Sequence, residues 1–302
     1  MNHHQEPHQE FSPVTRPRSF QGLRSMAVLV EAGNAWCALK RASLLHLAPE
    51  AHVAILMRQG ADLTGSDLAP SEARLAARLQ AVGGRLSRIG LSTDDDVVAA
   101  FSRYREQDGP ELVIIAREPR GVIARLLGDT PEKLARHGRA PVLVTRLPAR
   151  EPYRRVLVGI DYSEVSREAL ELALRLTKPE AGTLDVLHCH DTSYALVLHQ
   201  SGASAEQLTA YYRRMYTEAE VKLRAFLGRY LEHGADLHPL VRAGDPRAEL
   251  EHAAREQGTE LLVIGKRARQ GLGHALLGSV AEACLRRAGC DVLVVPQAAS
   301  QH

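Results

Sequence analysis

Gly265, Ala268, Gly278 and Ser279 follow one another with two and then nine residues between them, inside a segment that also carries Lys266, Arg267, Arg269, Gly271 and Gly273. Small residues in a basic loop let backbone N–H groups converge. A helix opening at Gly278-Ser279 adds the positive end of its dipole, and together these suit an anion, above all a phosphate. The Ser279 hydroxyl completes the donor set, and Lys266, Arg267 and Arg269 raise the local potential. His188-Cys189-His190-Asp191 offers the residue types of a metal site. On a strand, however, His188 and His190 share one face and Cys189 points from the other, so a single ion does not collect all three. The expectation is a buried His188, a His190 at the rim and no metal. Asp94-Asp95-Asp96 fan around a helix start in the same non-convergent way. No nucleophile–base pair, Walker-type lysine loop or metal-binding His/Glu pair stands at an interpretable spacing, so no catalytic residue is assigned.

The elements that must hold these residues read as alternating strands and helices. Leu261-Leu262-Val263-Ile264 is a short apolar run suited to a strand buried on both faces. From Gly278, Val280, Ala283, Cys284 and Leu285 recur at helical spacing. In the same half, strands are expected near 155–160, 183–189, 236–242, 260–265 and 291–295, with helices near 164–178, 204–232, 246–257 and 278–288. Further upstream, strands are expected at 26–30, 51–57, 85–89 and 111–116, and helices over 35–47, ended by Pro49, over 66–82, stopped by Gly83-Gly84, and over 92–107. Strands alternating with helices imply a parallel sheet covered on both faces.

The two halves repeat each other. Glu111-Leu112-Val113-Ile114-Ile115-Ala116 is nearly Glu260-Leu261-Leu262-Val263-Ile264-Gly265. With one loop residue deleted, Glu132, Arg136 and Val142-Leu143-Val144 align with Glu282, Arg286 and Val292-Leu293-Val294. The expected organisation is a disordered tail over 1–21, one repeat over 22–147, a polar Pro-flanked boundary at 148–152 and a second repeat over 153–297. The first copy looks degenerate: Gly33 stands for Asp161, Ala116 for Gly265 and Asp129 for Ser279, and Pro119 removes a donor from the loop.

The spacing Gly265-x2-Ala268-x9-Gly278-Ser279 resembles the G-x2-G-x9-G-[S/T] motif of ATP-binding universal stress proteins. The likeness extends to Val156-Leu157-Val158-Gly159-Ile160-Asp161 and to Val241-Arg242-Ala243-Gly244-Asp245-Pro246. It implies an α/β fold of two tandem flavodoxin-like domains, each a five-stranded parallel sheet with helices on both faces, the last strands Val142–Thr145 and Val292–Val295 near the interface. It also implies an adenine nucleotide, ATP or a relative, bound by the second repeat, with Asp161 at the nucleoside, Cys189 lining the adenine, and Gly265, Ala268, Gly278 and Ser279 at the phosphates. Ala268 stands where the family has its second glycine, so binding weaker than in glycine-bearing relatives is expected. The function implied is a stress-response sensor or regulator working through an unknown protein partner. It is not an enzyme, slow ATP hydrolysis aside. The alternative is a non-nucleotide scaffold.

Composition narrows the partners. At 302 residues, 45% apolar, 25% charged and net charge +2, the chain reads as soluble and globular. Aromatics at 4% supply few stacking platforms for nucleic acid. No apolar run has the length of a membrane helix or a secretory signal, and the four cysteines show no disulfide or zinc spacing, so a cytoplasmic protein with reduced thiols is expected. The repeats should pair as an internal pseudo-dimer, with a homodimer as a further possibility.

Overall fold

The computed structural model describes residues 21–31, 35–58, 68–91, 101, 109–117, 130–146, 149–177, 182–190, 192–232, 235–266 and 277–297. In the first half these residues form β1 (Leu23–Val30), α1 (Ala35–Ala42), β2 (Leu47–Arg58), α2 (Leu68–Ala81), β3 (Arg85–Leu91), β4 (Leu112–Ala116), α3 (Thr130–His137) and β5 (Val142–Thr145). The second half adds β6 (Arg155–Ile160), α4 (Glu164–Leu176), β7 (Thr183–His190), α5 (Ser193–Gln200), α6 (Ala205–Glu232), β8 (Leu237–Ala243), α7 (Pro246–Glu256), β9 (Leu261–Lys266), α8 (Ser279–Arg287) and β10 (Asp291–Pro296). The helix expected over 92–107 and the polar lead-in fall outside the described residues, apart from Phe101 and Gln21.

All ten strands form one sheet in the order β3-β2-β1-β4-β5-β10-β9-β6-β7-β8. Each half is parallel within itself, and the single antiparallel pair joins β5 to β10. There Val142, Leu143 and Val144 face Val294, Leu293 and Val292. The repeat equates Leu143 with Leu293, so the pairing is self-complementary about that point, as across a twofold axis. Alternation divides the core by face. Met26, Val28, Leu143, Val158 and Leu293 pack on one side, and Ala27, Leu29, Val144, Leu157 and Val294 on the other.

Side chains repeat this twofold relation. Lys266 Nζ donates to the carbonyls of Ala135 and Arg136, both at 2.8 Å, in the last turn of α3. Its counterpart Arg117 donates to the Leu285 carbonyl in α8, the residue equivalent to Ala135, and to Glu132 Oε1 at 2.9 Å. Arg41 reaches the Glu151 carbonyl at 3.0 Å, while Arg175 of α4 reaches the equivalent Gln21 carbonyl at 3.2 Å. Asp291, 2% exposed, anchors the Arg41 side of this arrangement. It accepts from Tyr153 Oη at 2.6 Å and Arg146 N at 2.8 Å, and lies 3.2 Å from Arg41 Nε.

Three local expectations are corrected. α1 ends at Ala42 and not near Leu47, and Pro49 lies near the start of β2, where a strand tolerates the missing donor. α5 was not anticipated, because its eight residues carry no amphipathic pattern to announce a helix. β9 runs one residue past the expected 260–265, since Lys266 still pairs with Pro296.

Candidate functional site

The carboxyl ends of β6, β7 and β9 open into a cleft of about 170 Å³, where one water needs only about 10–15 Å³. β6 contributes Gly159, Ile160 and the following Asp161. β7 contributes Leu187 and Cys189, and β9 contributes Ile264 and Gly265. Helix starts close the remaining sides: Val165 and Ser166 of α4, Pro246 and Leu250 of α7, and Val280 of α8. Each start has a local cause. The Ser163 side chain accepts the Ser166 N–H and caps α4, and Asp245 caps α7 ahead of Pro246 at its first position. α8 follows Gly278 at φ +80°, ψ 140°, a conformation nearly confined to glycine.

Two glycines shape the floor. A Cβ on Gly159 would stand 3.1 Å from Leu250 Cδ2, and one on Gly265 would stand 2.4 Å from Val165 Cγ1 and 3.1 Å from the Val165 carbonyl carbon. Gly265 is therefore required by strand–helix packing as well as by its place in the cleft. The polar equipment is sparse. Asp161 Oδ1 accepts the Ser163 N–H at 3.0 Å and the Ser163 hydroxyl. Burial pushes the Cys189 thiol up to about 12, which keeps it protonated and unreactive at neutral pH.

The cleft thus brings together Asp161, Cys189 and Gly265, with Gly278 and Ser279 next to its lining residue Val280. Ala268 lies outside the described residues, as do Arg267, Arg269 and Asp129. Lys266 is corrected. It is 7% exposed, and its ammonium is turned into α3 of the other half instead of lining the cleft. The two histidines exchange roles: His190 is 8% exposed, whereas His188 is half-buried with Nδ1 3.0 Å from the Ile160 carbonyl. Burial also holds the His188 pKa below its usual value, the Ile160 bond opposing. Pattern reading missed Leu187, Pro246 and Leu250. The available signals were Gly159 inside a strand and Pro246 directly after a capping Asp.

Sheet register also corrects the first half. Val28 pairs with Ile114 as Val158 pairs with Val263, which puts Glu31, and not Gly33, at the place of Asp161. The same register sets Leu29, 3% exposed, where the second half has Gly159. A leucine side chain thus stands where the second half keeps its floor open.

The universal stress protein family matches residues 152–296. Universal stress protein MJ0531 of Methanocaldococcus jannaschii is 30% identical over 143 residues, 47% of this chain and 82% of the relative. The chain belongs to the universal stress protein family. Universal stress protein Sll1388 of Synechocystis sp. is 29% identical over 150 residues, 47% of this chain and 97% of its own. A solved universal stress protein from Archaeoglobus fulgidus superposes with a TM-score of 0.61 at 17% identity, covering 93% of this chain and 98% of that one, a likeness of fold across both halves. In this universal stress protein the matched residues contain the whole cleft. Its four cysteines are free, and no group of metal-binding side chains occurs among the described residues.

Proposed function

We propose that this universal stress protein binds one molecule of ATP, or a related adenine nucleotide, in the cleft of its second half, and acts as a stress-linked sensor or regulator in the cytoplasm. The observation that carries the reading is the meeting, at the carboxyl ends of β6, β7 and β9, of an apolar glycine-floored cleft, the Asp161 carboxylate and the start of α8 behind Gly278. A purine suits the apolar walls, ribose hydroxyls suit Asp161, and phosphates suit backbone N–H groups at a helix start. Residues 153–297 form the competent repeat in this reading, and residues 22–147 serve as its paired but degenerate copy, with Leu29 occupying the floor. Among the described cleft residues, Asp161 and a protonated Cys189 offer no nucleophile–base pair, so binding without chemistry is proposed.

Isothermal titration of the purified chain with ATP tests this. One site per chain is expected, and Asp161→Ala should weaken binding roughly tenfold or more, the scale of a lost hydrogen bond to a charged group, while leaving the melting temperature in place. Two equivalent sites, or affinity indifferent to Asp161→Ala, would overturn it. Absence of binding by ATP, ADP and AMP would leave the chain as a scaffold read by a partner protein.

A further inference from the structure

Tyr162 follows Asp161 with φ +62°, a left-handed backbone that bulky L-residues rarely adopt. Such a conformation persists only where the surroundings enforce it, and here a clamp does so. The Tyr162 ring lies 4.4 Å from the His188 ring and 5.7 Å, edge-on, from that of Phe226. Lys222 Nζ sits 4.2 Å from the same ring, and the phenol hydroxyl donates to the Ala219 carbonyl at 3.4 Å. His188 is fixed in turn by its bond to the Ile160 carbonyl. Strand β7 and helix α6 therefore hold one ring from two sides.

The left-handed turn at Tyr162 lets the chain fold back so that the Ser163 N–H reaches Asp161 Oδ1, while the Ser163 hydroxyl links the same oxygen to the start of α4. We propose that Tyr162 is a positioning residue, whose clamped ring holds the turn that aims the Asp161 carboxylate into the cleft. The ligand side of this inference rests on the nucleotide reading above; the positioning itself does not. Tyr162 touches the far side of the turn, so its effect on ligand passes through Asp161.

Two measurements on the full chain separate the parts. Without nucleotide, NMR amide exchange at Ser163 should quicken about tenfold or more in Tyr162→Ala and stay within about twofold of the parent in Tyr162→Phe, which keeps the ring. ATP affinity, measured well below each variant's melting temperature, should follow the same order, with roughly tenfold weaker binding for Tyr162→Ala. Tyr162→Gly accepts the left-handed backbone freely yet lacks the ring, so it should behave like Tyr162→Ala. Parent-like exchange in Tyr162→Ala or Tyr162→Gly overturns the proposal. If Tyr162→Ala does not fold, Phe226→Leu, which removes the edge contact together with the seat of the Arg167 guanidinium on the Phe226 ring, should quicken Ser163 exchange about threefold more than Arg167→Gln does, and a rate no faster than that of Arg167→Gln counts against the clamp. A parent that binds no ATP but shows the exchange pattern removes the nucleotide reading and keeps Tyr162 as the residue that orients Asp161.

Discussion

Gly265→Ala tests whether packing, rather than ligand, fixes the glycine at the cleft floor. The new methyl would lie 2.4 Å from Val165 Cγ1 and 3.1 Å from both the carbonyl carbon and oxygen of Val165, so strand β9 or helix α4 must move. Val165 is 3% exposed and stiff about χ1, which closes the easy escape of a rotamer change. Overpacking of this kind costs about 1–3 kcal/mol. Val165→Ala alone removes two buried methyl groups, at about 2 kcal/mol including part of the cavity. The double variant places the new methyl in the vacated space, so it should lose about 2 kcal/mol instead of the roughly 4 kcal/mol sum, a coupling of about 1–2 kcal/mol. Urea unfolding followed by circular dichroism and tyrosine fluorescence, with coincident transitions, measures all four corners of the cycle. An additive double variant, or a Gly265→Ala protein as stable as its parent, would refute the argument. The first half carries Ala116 at the equivalent place, so the strand itself accepts a methyl, and the demand for glycine in the second half comes from Val165.

Two further outcomes follow from the seam between the halves. Burial lowers the Lys266 ammonium to about 8, below its unfolded value of about 10.4, so the unfolded chain binds the proton more tightly between those values. The stability of the parent relative to Lys266→Met should rise as pH goes from 8 to 10, and denaturant midpoints that stay parallel over this range would contradict it. Asp291→Ala leaves Arg41 buried beside an empty place and should cost about 3–5 kcal/mol, read as a single lowered unfolding transition for both halves, whereas two separate transitions would show that the seam does not couple them.

Much of this fold is legible in the sequence because parallel strands buried on both faces must be largely continuous apolar runs, and Leu112–Ala116, Val142-Leu143-Val144 and Leu261-Leu262-Val263-Ile264 are such runs. The repeat made the β5–β10 pairing legible as well, since two equivalent valine-rich edges each require cover. Other features depend on what lies across space. A lysine after a glycine in a basic loop reads as a solvated charge, and the α3 carbonyls that hold Lys266 lie well over a hundred residues upstream. Counting from Gly33 misplaced the first half's acid by two residues, because loop length is free to vary and only the ladder with β4 fixes the equivalence at Glu31. The histidines reversed because His188 packs against the half-buried Tyr162 ring, brought in from the turn after β6, an arrangement that no local pattern encodes.

The antiparallel seam also alters what mutation can do. When two separate chains meet through identical edges, every substitution there occurs twice, and a change that clashes with itself is lost at once. Joined in one polypeptide, each side of the seam varies alone, so an arginine can face one helix end while a lysine faces its mate, as Arg117 and Lys266 do. The covalent link keeps the copies together at any concentration. One copy is then released from carrying a pocket of its own, provided that its edge still fits. Leu29 in the first half fits such a history: in a symmetric pair the same leucine would stand in both floors, whereas here the other half keeps Gly159 and its opening.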